Sequence, residues 1–164
     1  MTYKPKKHVE VMERLTTPSA TALSVDWNGS DVDTGVVLVA GTFTVLDATN
    51  CTGSTSAGAR MTYTAKENID IIIEVAGIVE SASGANEPYS FFIRKNGTSG
   101  TIIQHSRMDL EIDSNTPQTI SLFAHDHAVQ NDYYEMCVAA SSGSTAADIT
   151  AKSLTLMLVK QNGN

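Results

Sequence analysis

The chain has 164 residues, of which 41% are hydrophobic and 18% are charged, and its formal net charge is −7 at neutral pH. A chain of this size and composition can bury one core without a disulfide framework or a structural metal. The excess of acid argues against a nucleic-acid partner or an anionic membrane surface, because both require clustered positive charge. No stretch approaches the ~20 apolar residues of a membrane helix, and no apolar segment follows the positive charges of "MTYKPKK". We therefore expect a single domain without a membrane or nucleic-acid partner.

The first residues differ in charge from the rest of the chain. Residues 1–14 have a balance of +2, which leaves −9 of the total of −7 for the remainder. Val9 and Met12 fall at helical spacing, but this apolar stripe is too thin for a helix that docks by itself. We predict an N-terminal arm over residues 1–18, ahead of a domain at 19–164. A terminus without a role remains an alternative. The basic residues of the arm are Lys4, Lys6, Lys7 and Arg14.

After residue 18 the sequence is typical of strands. "RMDLEID" alternates without error between apolar and charged residues, as a half-buried strand does. Other runs are rich in β-branched, aromatic or aliphatic residues, and clusters of Gly, Ser, Asn, Asp and Thr separate them. Repeated short strands with turns between them favour a sandwich or barrel over alternating βαβ units. These runs are "TGVVLVAGTFTVL", "NIDIIIEVAGIVE", "YSFFIRKNGT", "TIIQHS", "QTISLFAH", "DYYEMCVAA" and "ITAKSLTLMLVK".

Several strands are apolar on both faces. In "YSFFIRK", Phe91 shares the probable core face with Tyr89, while Phe92 falls on the other face. By the same alternation Phe123 and Tyr133 fall outside the inward sets of their strands. A two-layer sandwich has one dry face per sheet, so extra apolar outer positions predict a subunit interface that contains Phe92, Phe123 and Tyr133. The alternative is that these are single exposed apolar residues, which any protein surface carries.

The second half of the chain, over about residues 60 to 160, resembles a known family. The succession of "YSFFIRKNGT", "TIIQHSRMDLEID", "TPQTISLFAHDHAVQNDYYEMCVAA" and "ITAKSLTLMLVK" is similar to the tumour-necrosis-factor-like jelly roll, which complement globular heads and many small phage virion proteins share. Asn131-Asp132-Tyr133 stands where that family commonly has Gly-Asp-Tyr, and "SLTLMLV" stands for its last strand. The resemblance implies an all-β jelly-roll sandwich and a compact threefold homotrimer.

Motifs for metal binding are weak. "HDH" puts His125 and His127 on one face of a strand, and three such pairs around a threefold axis would offer six nitrogens, as the resemblance to some phage fibre proteins implies. Two surface histidines are the commoner explanation. The acidic residues Asp109, Glu111 and Asp113 share one strand face, which could bind calcium or serve as acid and base, but a solvated face explains them equally well. We predict no metal and no cofactor.

The cysteines and the catalytic motifs give mostly negative evidence. Cys51 and Cys137 suit buried thiols better than a disulfide framework. The sequence has no Gly-rich phosphate loop, nucleophile elbow, paired-cysteine zinc motif or His-Glu helix motif. We predict no enzyme and no catalytic residue. That prediction would change if Asp109, Glu111 and His105 converged in a deep pocket.

These observations lead to a functional prediction. We expect a structural virion protein, a trimeric capsid decoration (cement or head-fibre) protein of a phage that binds the major capsid protein or another virion protein through its arm. Its expected location is the capsid surface, after assembly in the host cytoplasm. The alternative is a receptor- or glycan-binding tip of a tail fibre, in which the loops "SASGANEP" and "SSGSTAA" contact the host. The chain lacks the long shaft that normally precedes a fibre tip, which favours capsid decoration.

Overall fold

The computed structural model describes most of the chain from residue 9 onwards, and the strand boundaries follow from it. It describes residues 9–15, 19–21, 36–37, 43–54, 58–81, 87–97, 100–113, 115–140 and 149–161. None of these residues belongs to a helix of the length and apolar character that a membrane crossing requires. The strands are β1 Val9–Leu15, β2 Ser19–Thr21, β3 Val36–Val37, β4 Phe43–Ala48, β5 Cys51–Gly53, β6 Arg60–Tyr63, β7 Ile69–Ser81, β8 Glu87–Lys95, β9 Thr101–Ile102, β10 Met108–Ile112, β11 Gln118–Ala128, β12 Tyr133–Ala140 and β13 Ile149–Lys160.

The strands form two antiparallel sheets. The six-stranded sheet has the order β11-β7-β13-β1-β4, and β2 pairs with β13. The seven-stranded sheet has the order β10-β8-β12-β6-β5, with β3 beside β12 and β9 beside β8. Most neighbours in space are distant in the chain, so the connections repeatedly cross between the sheets, as in a jelly roll. The predicted all-β jelly-roll sandwich is confirmed.

The core lies between the inner faces of the two sheets. Along β7 buried and more exposed residues alternate from Ile69 to Val75, so that every second side chain contributes to the core. On β10 Ile112 is buried, while Met108 and Leu110 pack against the core from the edge. The large side chains that are fully buried include Tyr63, Tyr89, Phe91, Met61, Ile71, Ile73, Ile93, Ile120 and Tyr134. Each buried aliphatic or aromatic side chain stabilises the fold by about 1.5–3 kcal/mol, which makes this core the main source of stability.

The strand β1 corrects the predicted arm. Residues 9–15 pair with β13 on one side and with β4 on the other, so they form an interior strand of the six-stranded sheet. Arg14 opposes Thr155 and Thr44, and it belongs to this strand rather than to a docking arm. The physical reason is that two distant strands offer backbone hydrogen-bond partners for β1, which a free arm would not have. Lys4, Lys6 and Lys7 lie outside the described residues.

An ion cluster joins the two sheets near the turn between β11 and β12. The Lys95 ammonium lies 2.7 Å from Asp126 Oδ2 and 2.7 Å from Asp132 Oδ2. Tyr134 donates its hydroxyl proton to Asp126 Oδ2 at 2.7 Å, and Asn96 Nδ2 donates to Asp132 Oδ1 at 2.9 Å. Because Asp126 is on the six-stranded sheet and Lys95 and Tyr134 are on the seven-stranded sheet, the cluster connects both layers.

The charges in this cluster stabilise one another. Burial opposes the charge on Lys95, but its hydrogen bonds to the two carboxylates outweigh burial and raise its pKa. Burial likewise acts to raise the pKa of Asp132, but hydrogen bonds from Asn96, Lys95 and the Val129 amide lower it below its ordinary value. Burial and the hydrogen bond to Asp126 raise the pKa of Tyr134. Lys95 and Asp132 are therefore charged at neutral pH, and Tyr134 is a neutral donor.

The tripeptide Asn131-Asp132-Tyr133 forms the turn beside this cluster. Asn131 has a φ of 72°, in the left-handed region that glycine and asparagine adopt most readily. Asn in place of the Gly of Gly-Asp-Tyr is therefore compatible with the turn. The Asp132 carboxylate accepts a hydrogen bond from the Val129 amide at 3.0 Å, which fixes the turn to the end of β11.

Candidate subunit interface

The outer side of the six-stranded sheet carries exposed apolar side chains. Phe123 on β11 is 48% exposed, and Ile78 on β7 is 39% exposed. The Phe123 ring packs edge-on against the His125 ring, with 5.0 Å between the ring centroids. Across the sheet Phe123 opposes Glu74, which in turn opposes Met157. Residues opposed in this way share a sheet face, so β11, β7 and β13 together build one surface.

We call this surface the apolar face. Its members alternate with the core residues of their strands and are exposed or half-buried. A partly hydrophobic, uncovered sheet face is unusual for a chain that stays alone, and it is the kind of surface that subunits bury against one another. Its apolar members are Ile72, Ala76 and Ile78 of β7, Phe123 of β11, and Met157 and Val159 of β13.

Ion pairs lie around the border of the apolar face. Lys152 Nζ lies 3.1 Å from Glu80 Oε1. Toward the opposite end of the sheet, His127 Nδ1 lies 2.8 Å from Asp70 Oδ1. At the same end, Lys160 pairs with Glu67 in the loop before β7. An apolar centre with a charged border is the usual composition of a subunit interface.

Phe92 does not lie on this surface. The strand alternation is as predicted, because Phe91 joins the main core while Phe92 joins a second cluster on the other side of β8. That side, however, belongs to the seven-stranded sheet, and Phe92 is completely buried within the single chain, together with Cys137 and Ala139. The assignment of Phe92 to a subunit interface is therefore wrong: its packing partners are in its own chain.

Tyr133 is also occupied within its own chain. Its ring lies under the Arg60 guanidinium, which is 4.6 Å from the ring centroid. Its hydroxyl packs over Gly97, where an added Cβ would lie only 2.5 Å from the hydroxyl oxygen. Tyr133 is on the seven-stranded sheet, whereas Phe123 is on the six-stranded sheet. The three aromatic residues predicted to form one interface thus lie on different sheets, and Phe123 alone of the three lies on the apolar face.

A buried charge cluster beside Phe92 is a feature that the sequence analysis missed. Glu135 is almost fully buried and accepts hydrogen bonds from Arg60 Nε at 2.8 Å and from Arg94 Nη2 at 3.3 Å. Arg94 and Glu135 oppose each other in the register of β8 and β12. The signal in the sequence was a pair of opposite charges at outer strand positions, but their register required the sheet topology. This cluster helps to make the outer side of the seven-stranded sheet part of the chain's own interior.

No protein-family model matches the chain, and no curated protein matches its sequence. Solved structures do match. Eiger TNF from S. frugiperda superposes with a TM-score of 0.56 at 9% sequence identity, over 96% of this chain and 96% of that one. The globular domain of zebrafish complement 1qA superposes with a TM-score of 0.55 at 8% identity, over 92% of this chain and 95% of that one. The chain has the tumour-necrosis-factor-like jelly-roll fold. This confirms the resemblance at the level of the fold, while the phage context stays a prediction.

In this jelly roll the residues weighed for metal binding have protein partners or lie exposed. His127 pairs with Asp70, and the His125 ring lies 3.2 Å from the Gln161 side-chain nitrogen. Within the described part of the chain, no three His, Cys, Asp or Glu side chains come together as metal ligands do.

The acidic strand β10 and its neighbours show no catalytic geometry. Asp109 accepts hydrogen bonds from Ser90 at 2.5 Å and from Arg107 at 2.8 Å, and these lower its pKa although burial acts to raise it. Glu111 and His105 are exposed on the surface, so the deep pocket that an enzyme would need is not formed by these three residues.

The cysteines and the loops complete the comparison with the sequence. Cys51 and Cys137 are buried in different clusters and form no disulfide, as the sequence pattern suggested. Burial raises the pKa of Cys137 to about 12, so its thiol is unreactive at neutral pH. The loops considered for glycan binding lie for the most part outside the described residues.

Proposed function

We propose that this protein is a structural virion protein, a homotrimer that decorates a phage capsid. The observation that carries the proposal is the apolar face of the six-stranded sheet, on a fold of the tumour-necrosis-factor type. The predicted threefold assembly would cover this face and leave the charged border toward water. The proposed location is the capsid surface, with assembly in the host cytoplasm.

The apolar face supports assembly on energetic grounds. Removing apolar surface from water contributes roughly 25 cal/mol per Å², and a fully buried Phe or Ile contributes about 1.5–3 kcal/mol. Phe123 and Ile78 are each more than a third exposed in the single chain, so roughly a third to a half of this contribution is still available to a partner. The other sheet offers no comparable surface at Phe92, Cys137 and Ala139, which are already buried.

The basic residues that precede β1 support docking on the capsid. Because Val9 already pairs with Val159 in the sheet, we propose a docking segment that is shorter than residues 1–18. The docking residues that remain are Lys4, Lys6 and Lys7, which come immediately before this strand, and their charge is opposite to that of the body. Three such segments on one trimer would bind an acidic capsid surface multivalently, so each single contact can be weak.

A capsid-binding experiment tests this function. We expect that replacing Lys4, Lys6 and Lys7 together with Gln weakens co-sedimentation with capsids of the source phage, assembled without this protein, by at least tenfold. Capsid binding of the native chain should also weaken as the salt concentration rises, since exposed charges are screened. Arg107→Gln, which removes a positive charge from the surface near β10, is the control and should bind normally. Unchanged binding of the triple variant would contradict docking through these lysines.

A further inference from the structure

Glu74 lies in the middle of the apolar face. It is half-buried, with Phe123 opposite it on one neighbouring strand and Met157 on the other. A carboxylate with an aromatic ring on one side and a thioether on the other has no polar neighbour across either adjacent strand. Its position is therefore the feature of this face that most needs a partner.

The other acids on the same side of β7 already have partners. Asp70 pairs with His127 at 2.8 Å, and Glu80 pairs with Lys152 at 3.1 Å. Among the residues that the structure describes, none forms a hydrogen bond or ion pair with the Glu74 side chain. Within that part of the chain, only water is left to solvate this carboxylate. If another copy covers the face, Glu74 loses that water, and an unpaired carboxylate would then oppose association.

The strands of the six-stranded sheet contain three lysine or arginine residues that could supply a compensating cation. They are Arg14, Lys152 and Lys160. Lys152 and Lys160 already form ion pairs with Glu80 and Glu67. Arg14 opposes Thr155, which opposes Ala76, so Arg14 lies in the row next to that of Glu74 and Met157. A guanidinium is also the cation best suited to a desolvated pair with a carboxylate, since its planar donors match the two oxygens.

We infer that Glu74 of one copy pairs with Arg14 of the neighbouring copy when the apolar faces assemble, an inference that rests on the proposed homotrimer. The occupant of the face is thus a second copy of this chain, and the pair determines how the copies are aligned. Hydrophobic contacts are tolerant of sliding, whereas a single charge pair across an interface excludes alignments that leave Glu74 without a cation.

A charge exchange tests the pair. We expect Glu74→Arg and Arg14→Glu each to weaken association at least tenfold in sedimentation velocity at neutral pH. The double variant with both changes should return to within about threefold of the native chain. The matched control combines Glu74→Arg with Lys152→Glu; it should show no recovery, because Lys152 has its own partner. The pairing would be overturned if the double variant associates no more tightly than expected from multiplying the effects of the two single variants on the association constant.

Two further measurements keep the outcomes distinct. If Arg14→Glu does not fold, the cycle of Glu74→Gln, Arg14→Gln and their double variant replaces it: pairing requires that the effects of the single variants are not additive. Additive effects, or a Glu74→Gln variant that associates as tightly as the native chain, would overturn the inference while leaving the homotrimer intact. A native chain that sediments as a monomer at micromolar concentration would overturn the homotrimer and the pair together.

Discussion

Phe91 and Phe92 are adjacent in the chain, yet they pack in different hydrophobic clusters on opposite sides of β8. Period-two alternation predicts that they point to opposite faces, and this part of the sequence analysis is confirmed. What covers the second face cannot be derived from alternation, since it depends on segments that are distant in the chain. The same limit applies to Phe123, whose local pattern is similar but which remains half exposed.

Phe92 and Phe123 provide a matched pair of variants. We expect Phe92→Ser to lower the free energy of unfolding by about 3–5 kcal/mol, as the loss of a fully buried ring does. Phe123→Ser should change unfolding of the single chain little, because surface substitutions usually stay within about 0.5 kcal/mol, and it should weaken association. Denaturant unfolding of dilute protein measures the first effect, and sedimentation velocity measures the second. A stable Phe92→Ser variant with impaired association would restore the original assignment.

Asp132 gives a prediction about pH. Its pKa is lowered in the folded state, so its contribution to stability is present above its ordinary pKa and is lost as the pH falls through the lowered value. The pKa of Lys95 is raised, so its contribution is present below its ordinary pKa and is lost as the pH rises through the raised value. We expect Asp132→Asn to cost about 1–3 kcal/mol at neutral pH and to flatten the acid side of the stability profile. Denaturant titrations from pH 2 to 7 measure this. The exposed Asp113→Asn is the control, and an equal loss there would contradict a special role for Asp132.

At the scale of elements, β1 shows why the start of the domain was misplaced. The segment "VEVMERL" is short, its pairing with β13 shifts in register between Val9 and Val11, and it follows a charged stretch. Such a segment becomes a strand because β13 and β4 lie on both sides of it, and neither strand is close in sequence. Propensity and periodicity within the segment carry no information about those partners.

A pair of deletions tests the revised boundary. Removing residues 2–14 takes away most of an interior strand, so we expect the chain to lose its cooperative unfolding transition. Removing residues 2–7 leaves β1 whole and should leave the transition unchanged within about 0.5 kcal/mol. Circular dichroism with thermal unfolding distinguishes the two. If the longer deletion unfolded like the native chain, β1 would not be an integral part of the sheet.

The close approach of β7 and β13 depends on Gly77. A Cβ at Gly77 would lie 2.5 Å from the Ser153 carbonyl oxygen, beside the shift in register between Ala151 and Ser153. A glycine within a strand pattern commonly marks such a close backbone approach or a bulge. Gly77 is therefore a signal of an irregular position in β7 that the prediction from sequence did not use, and its partner strand followed only from the topology.

At the scale of the whole molecule, the order of the strands decides which predictions succeed. The fold could be predicted, because it depends on many short alternating segments that agree with one another and on a succession typical of the jelly roll. The surface that we propose as an interface could be predicted only in part, because Phe92 and Phe123 have similar local patterns but belong to different sheets. A surface is formed by residues from several strands, and their sheet assignment is a property of the complete topology.

The two outer sides of the sandwich are unequal, and this inequality bears on the size that an assembly can reach. A sandwich with an open apolar surface on both sheets would leave a new adhesive surface with each copy added, and such heterologous stacking produces filaments. Here the chain itself buries Phe92 and the Arg94–Glu135 pair on one side. The proposed homotrimer would use up the apolar surface on the opposite side, so we expect its assembly to stop at a closed particle.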